Sequence, residues 1–267
     1  MIRALWTRVL MGMLLLGLTG CGPGGAARPL VIGMDATYRP FEVVDERGEI
    51  TGVSVEIGRQ IARELGREVV FRNINFDGLI MALKTGSIDL IISSMTANEE
   101  RRKSIQFSEP YVKTGLSVLV AKGSPVTQAE DLKGAGRRLA VRIGTTGEAW
   151  CAQHLPEANL VRLDTDAACV LEVVNGSVDA WVYDQISVMN YHAQHEAQTR
   201  ALLAPLREEF WAVGLAKEAD PALLAGVNAA LKRMRAEGAF SALADEFLST
   251  ERDLMKRQGL PFVFELE

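Results

Sequence analysis

The segment 93–102 holds the residue types best suited to binding a small anion. Short and mostly hydroxyl-bearing residues follow an apolar run, and Asn98 then precedes two glutamates and two arginines. Asn is a favoured first residue of a helix, and acidic residues are favoured in the first turn. Such a turn offers hydroxyl and backbone N–H donors, and Arg101 can add two parallel hydrogen bonds to a carboxylate. An ordinary capped helix with solvated arginines would show the same pattern, so the segment alone leaves both interpretations open.

A short internal repeat places a second polar group in an equivalent position. Thr-Gly-Ser-Ile-Asp at 85–89 is echoed by Asn-Gly-Ser-Val-Asp at 175–179, and each stretch is typical of a helix end, a turn and a strand. Ser94 follows the first Asp by five residues, and Asp184 follows the second by five. Because ligands of open α/β sheets bind at the carboxyl ends of the strands, the repeat predicts two similar halves that face a shared cleft.

Apolar runs of strand length alternate with segments of helical periodicity. The residues at 53, 57, 61 and 65 recur with the period of an amphipathic helix. The run at 90–92 is continuous, as buried parallel strands are. This alternation indicates the α/β class with parallel sheets. The tail 251–267 gives no such indication. Further strands are predicted near 31–34, 69–71, 116–121, 139–143 and 178–182, and further helices over 76–83 and 221–248.

The beginning of the sequence has the pattern of an export signal. Arg3 and Arg8 precede an apolar run over 9–18, and this run of about ten residues is shorter than the roughly 20 that a spanning helix needs. Leu-Thr-Gly-Cys at 18–21 resembles the lipobox of bacterial lipoproteins, which implies cleavage before Cys21 and its lipidation. We therefore predict a signal peptide at 1–20 and a flexible tether at 21–28. An ordinary signal peptide with a chance cysteine is the alternative.

Composition excludes several functional classes. Lys and Arg total 29 against 34 Asp and Glu, a net charge of −5, and no basic block suggests a nucleic-acid partner. No second apolar stretch is long enough to cross a membrane, which argues against a transmembrane receptor or sensor kinase. With three histidines and no Cys-x-x-Cys motif, we expect no metal. Cys151 and Cys169 could form a disulfide in an exported protein or remain buried free thiols, and both interpretations stay open.

Several ordered motifs together resemble one family. Residues 93–102, followed by Phe-Ser-Glu-Pro-Tyr at 107–111, are similar to the signature of the polar amino acid family of periplasmic solute-binding proteins. The resemblance runs from about 30 to 248, and the further matching stretches are 35–41, 76–80, 143–148 and 182–184. It implies the two-lobed type II fold, in which two parallel-sheet lobes are joined by two crossing strands. The crossings are expected near 112–117 and 204–213, with lobe 1 at 29–113 and 211–267 and lobe 2 at 114–210.

The resemblance also implies roles at the two charged ends of an amino acid ligand. Arg101 would hold the α-carboxylate, and Asp184 would pair with the α-ammonium group. Ser94 and Thr96 would assist with backbone or hydroxyl contacts, and Thr146 would donate to the carboxylate from the opposite lobe. The predicted ligand-binding set also includes the neighbours Met95 and Thr145.

A second group of residues would contact the ligand's side chain. By the same resemblance, Tyr38 and Phe76 would enclose it, and Asp35 would meet polar atoms at its tip. Arg142 is a departure that discourages a lysine-type ligand. Asp35 as acceptor and Arg142 as donor would suit a neutral amide such as glutamine, which we rank slightly above arginine. Alternatively, Arg142 neutralises Asp35 or points away.

The predicted function is that of an extracytoplasmic solute-binding lipoprotein and not of an enzyme. It would bind a polar α-amino acid without a cofactor, act as a monomer, and deliver its ligand to the ABC permease of the inner membrane from a lipid anchor on the periplasmic or extracellular face. The alternative is an enzyme similar to cyclohexadienyl dehydratase, for which a carboxyl with a raised pKa must lie near the ligand. Glu148 is its weak candidate, since Gln185, Ile186 and Ser187 follow Asp184. A module that signals without a transporter is a third possibility.

Overall fold

The computed structural model of this 267-residue chain describes residues 28–266. The predicted signal peptide, Cys21 and the tether up to residue 27 lie outside the described residues. The strands are β1 Leu30–Met34, β2 Thr37–Tyr38, β3 Glu42–Val44, β4 Ile50–Thr51, β5 Val69–Asn73, β6 Leu90–Ile91, β7 Ile105–Ala121, β8 Arg138–Arg142, β9 Asn159–Leu163, β10 Ala180–Asp184 and β11 Thr199–Ala216. The helices are α1 Val53–Glu64, α2 Leu79–Lys84, α3 Glu99–Ser104, α4 Thr146–His154, α5 Asp166–Val174, α6 Gln185–Gln194, α7 Pro221–Ala236, α8 Ala239–Phe247 and α9 Ser249–Arg257.

Eight of the strands form one mixed sheet in the order β5-β1-β6-β11-β7-β10-β8-β9. β1 runs parallel to β5 and β6 at one end of the sheet, and β8 runs parallel to β9 and β10 at the other. The two long strands β7 and β11 pair antiparallel in the middle and connect the two groups. Two sets of parallel strands joined by two crossing strands confirm the predicted fold class. The exact lobe boundaries stay a prediction.

Local sequence explains most of these elements. α1 turns Ile57 and Ile61 into the core, and both side chains are fully buried. α7 begins after Asp220, whose carboxylate accepts the Ala222 N–H at 2.8 Å. Gly238, at φ 75°, separates α7 from α8 because the left-handed conformation favours glycine. These features form from residues that are close in sequence, which is why the periodicity predicted the helices themselves.

The parallel strands bring the site segments to one edge of the sheet. The residues that follow β1, β6 and β8, together with the last residue of β10, face the same region between the two strand groups. Asp35 comes after β1, and its backbone N–H donates to Ser93 Oγ after β6 at 2.9 Å. The carboxyl ends of the strands thus meet where the sequence repeat predicted a cleft.

The disulfide interpretation of Cys151 and Cys169 is wrong. Both are buried, free thiols in the described chain. Cys151 on α4 packs in the apolar cluster of Leu139 and Val182, whereas Cys169 on α5 packs in the cluster of Trp181. Each sulfur therefore serves as a small apolar side chain in its own part of the core.

The tail beyond residue 248 packs against α6 and the crossing strand β7. In α9, Glu251 is buried and accepts a hydrogen bond from the Asn190 amide of α6 at 3.0 Å. Further along, the Val263 carbonyl accepts the Lys113 N–H of β7 at 2.8 Å. The described tail is thus part of the folded body. Within residues 28–266, no helix is long and apolar enough to cross a bilayer.

Candidate functional site

A cavity lies between the two strand groups and encloses about 340 Å³ of space between its lining atoms, part of it open to solvent. Ten of the eleven predicted ligand-binding positions line it, and their role in binding stays a prediction. The lining consists of Asp35, Tyr38, Glu42, Phe76, Ser93, Ser94, Thr96, Arg101, Arg142, Thr145, Thr146, Tyr183 and Asp184.

Met95 is the predicted position that does not line the cavity. Its side chain is 1% exposed and lies in an apolar cluster with Leu79 and Phe107. Its carbonyl accepts the Ala212 N–H of β11 at 3.1 Å. The polar neighbours Ser94 and Thr96 line the cavity, while the apolar side chain between them turns into the core.

Arg101 is held in place by its own helix and by both sides of the cavity. Asn98 caps α3 by accepting the Arg101 N–H at 2.8 Å, as the sequence predicted. The guanidinium is buried, donates to the carbonyls of Thr96 at 2.9 Å and Gly144 at 3.1 Å, and lies 5.2 Å from the centre of the Phe76 ring. Burial lowers the pKa of Arg101 to about 10, so the group is charged at neutral pH. Two of its five N–H donors have these partners, which leaves three for other acceptors.

Asp184 supplies a buried acceptor in the same cavity. It ends β10, only 9% of the residue is exposed, and Oδ1 has no hydrogen-bond partner among residues 28–266. Burial raises the pKa of Asp184 well above its usual range, and the nearby Glu209 adds to this effect while Arg101 opposes it. An unpartnered buried acceptor is costly unless another donor reaches it. The structure therefore brings a cation and an acceptor into one cavity.

Arg142 bridges the two halves of the cavity through two acids. Its guanidinium donates to Asp35 after β1 and to Asp166 at the start of α5, the latter at 2.9 Å. Asp35 also accepts the backbone N–H of Phe76 at 2.8 Å and the hydroxyl of Thr37 at 2.7 Å. Of the alternatives that the sequence left open, neutralisation of Asp35 is the observed one. Burial raises the pKa of Asp166 to about 6, against the opposing charge of Arg142.

Glu209 is a buried acid of the site that sequence reasoning missed. It lies on the crossing strand β11, and its side chain is 1% exposed. Oε2 accepts the hydroxyls of Thr96 at 2.8 Å and Thr146 at 2.9 Å, while the Arg207 guanidinium pairs with Oε1. A signal for it exists in the sequence, because Glu209 precedes the buried Trp211 by two residues and so shares its face of the strand.

Glu42 is a second acid that the sequence did not reveal. It is 1% exposed, lines the cavity, and accepts the Ser54 hydroxyl at 2.5 Å, while Oε1 has no partner in the described chain. Burial raises the pKa of Glu42 to about 8, although the Ser54 hydrogen bond opposes the shift. The nearby Ser94 adopts φ 48°, an uncommon conformation for a residue other than glycine. Such local strain is typical of functional sites.

Glu148, the acid named for the enzymatic alternative, lies outside the cavity lining. Its carboxylate accepts the Gly144 N–H at 2.9 Å and pairs with Arg162 at 2.6 Å. Both of its oxygens therefore have structural partners that hold the turn before α4. In the described part of the chain, no group of His, Cys, Asp or Glu has the arrangement of a metal site.

Comparison with known proteins gives consistent matches over most of the chain. The model of the bacterial extracellular solute-binding proteins, family 3, matches residues 30–250. The L-cystine-binding protein of Escherichia coli K12 is 30% identical over 227 residues, which are 83% of each chain. A mutant of ArgBP from T. maritima superposes with a TM-score of 0.76 at 36% identity and covers 82% of this chain and 95% of that one. An ancestral arginine-binding protein bound to glutamine has a TM-score of 0.75 at 30% identity, with coverages of 83% and 98%.

Arg142→Met should destabilise the protein because Asp35 and Asp166 would remain buried without their shared cation. Breaking such a buried pair typically costs about 3–5 kcal/mol. Urea unfolding at pH 7.5 measures the loss. Arg162→Met is the matched control, because Arg162 is 51% exposed in its pair with Glu148, and an exposed pair contributes about 0–1 kcal/mol. Equal losses for the two variants would contradict the bridging role of Arg142.

Glu42 should make stability fall as pH rises between about 5 and 8. Its pKa is about 8 in the folded protein against 4.5 as the ordinary value, so the folded state retains a proton that the unfolded chain has lost. The stabilisation is complete at low pH and is lost on the way to pH 8. In Glu42→Gln, the free energy of unfolding should fall less steeply with pH than in the wild type, by up to about 1.4 kcal/mol per pH unit. The measurement is urea unfolding at several pH values. Glu46→Gln, at an exposed turn, should follow the wild type; a wild-type slope in Glu42→Gln would refute the prediction.

Proposed function

This chain belongs to the bacterial extracellular solute-binding proteins, family 3, and from that membership we propose that it binds a free polar α-amino acid in the cavity and delivers it to an ABC importer. The observation that carries the proposal is the presence of Arg101 and Asp184 in one buried cavity, each with unused hydrogen-bonding capacity. The relatives named above support it, because they are named for binding cystine or arginine, and one arginine-binding protein is bound to glutamine.

The Arg101 guanidinium and the Asp184 carboxyl group match the two ends of a zwitterion. An amino acid that enters a buried cavity loses its hydration, so both of its charges need partners. Arg101 has three N–H donors left for a carboxylate, and Asp184 Oδ1 can accept from an ammonium group. The rings of Tyr38 and Phe76, which also line the cavity, supply apolar contact area for the ligand's side chain.

The far end of the cavity favours a neutral side chain over a cationic one. Both Asp35 oxygens already have donors, one from Thr37 and the other from Arg142 and the Phe76 N–H. Arg142 keeps a buried Nε–H that has no partner in the described chain, and a second guanidinium beside it would be repelled. An amide oxygen can accept from this N–H. We therefore rank glutamine above arginine, and the ancestral arginine-binding protein bound to glutamine supports retaining both as candidates.

The raised pKa of Glu42 at the cavity wall favours the enzymatic alternative. A neutral carboxyl is what a general acid requires. The relatives are named for binding amino acids rather than for catalysis, and we propose that this chain is likewise not an enzyme. Incubation with prephenate or arogenate decides the matter, since a dehydratase would consume one of them.

The main prediction is tight binding of one or a few of the twenty amino acids. A ligand that binds only the native state stabilises that state, so binding should raise the melting temperature.

With the identified ligand, Arg101→Ala and Asp184→Ala should each weaken binding by roughly a hundredfold or more, since each leaves a buried charge unpaired. Isothermal calorimetry measures this. Lys103→Ala is the control, because its side chain is 70% exposed on the same helix as Arg101. Unchanged affinity in both site variants would refute the assignment.

A lipid anchor at Cys21 is the remaining part of the proposal. It would hold the protein at the periplasmic or extracellular face, where a monomer could meet the permease. In cells expressing Cys21→Ala, the protein should move from the membrane fraction to the soluble fraction, and incorporation of labelled palmitate should stop. Continued membrane association and labelling of the variant would contradict the anchor.

A further inference from the structure

We propose that Glu209 is a positioning residue that makes the hydroxyl oxygens of Thr96 and Thr146 acceptors for the ligand's α-ammonium group. The inference rests on the proposed function and specifies how the amine end of the ligand is recognised. It also narrows the sequence-based expectation that Thr146 donates to the ligand's carboxylate, because its hydroxyl would then not be the donor.

The geometry fixes the direction of both hydroxyl groups. Glu209 Oε2 lies 2.8 Å from Thr96 Oγ1 and 2.9 Å from Thr146 Oγ1. Its other oxygen pairs with the Arg207 guanidinium. A carboxylate paired in this way has only acceptors to offer. Both threonines must therefore donate their protons to Glu209.

The number of hydroxyl protons on Thr96 and Thr146 determines whether these groups donate to a ligand or accept from it. A threonine hydroxyl has one proton and two acceptor lone pairs. With both protons donated to Glu209, the two oxygens can only accept from a ligand. The third acceptor is Asp184 Oδ1, which is buried and unpartnered within residues 28–266. Both threonines and Asp184 line the same cavity, so three acceptors match the three N–H donors of a primary ammonium group.

The surrounding charges separate the two ends of the ligand. Arg207, 39% exposed, pairs with Glu209, so Asp184 remains available for the ammonium charge. Arg101 is a buried cation close to Glu209 and Asp184, and its free donors suit the carboxylate. Without Glu209, the two hydroxyls could rotate and donate to the carboxylate instead. Because of Glu209, a tightly bound ligand needs an α-ammonium group as well as a carboxylate.

The test compares ligands that differ only in the α-amino group. The probes are L-glutamine with 4-carbamoylbutanoic acid, and L-arginine with 5-guanidinopentanoic acid, whose dissociation constants are measured by calorimetry or by displacement. Glu209→Gln keeps the shape but replaces an acceptor oxygen with an amide donor. Its affinity for the amino acid should fall roughly tenfold to a hundredfold. Affinity for the partner that lacks the amine should change by less than about threefold, a shift that a general packing defect would not produce.

Other results of this experiment would contradict the inference or the proposed function. Equal losses for the two members of a pair would overturn the inference. If Glu209→Gln does not fold, Thr146→Val decides, since it should weaken binding of the amino acid more than that of its deaminated partner; an equal or opposite pattern overturns the inference. Glu208→Gln is the control, because Glu208 is 63% exposed on the same strand and pairs with Lys113. If the wild-type protein binds no amino acid at all, the proposed function itself has failed.

Discussion

The geometry of the site depends on one constraint, which is that a charge buried away from water needs a partner. Arg142 meets it by joining Asp35, after β1, to Asp166, at the start of α5. Because β1 and α5 belong to different ends of the sheet, this bridge fixes the distance between the two walls of the cavity. Arg101 reaches across in the same way, from α3 to the carbonyl of Gly144. The cavity is therefore bounded by ionic contacts as well as by apolar packing.

Sequence alone predicted the parts of this protein that arise from local patterns. The alternation of apolar runs and helical segments indicated parallel strands with helices between them, and the Asn98 cap and the helices over 221–248 were found where the pattern placed them. The repeat at 85–89 and 175–179 correctly related the segments that lead to Ser94 and Asp184. Each of these features depends on residues within one or two turns of chain, where propensity and capping act directly.

The contacts that sequence reasoning missed join distant residues. Glu209 meets Thr96 across 113 positions and Thr146 across 63, on a strand whose register with β7 shifts three times. The alternation with Trp211 indicates which face of the strand Glu209 shares, but no local pattern encodes the distant residues that this face contacts. The two cysteines are a second example. Only the folded chain shows that they lie in different apolar clusters and therefore do not pair. Met95 is a third example, because its side chain turns into the core while those of its two neighbours line the cavity.

The crossing strand has a mechanical consequence for the three acceptors proposed to bind the amine. Thr96 pairs with Trp211 on β11, and the next residue, Ala97, donates its N–H to Phe210 at 2.9 Å. Glu209 therefore travels with Thr96 whenever the two halves part by bending along β7 and β11. Thr146 on α4 and Asp184 on β10 belong to the other strand group, so they would move away from Thr96 together. Opening would therefore separate the three oxygen atoms, and only the closed form would present all of them to one amine.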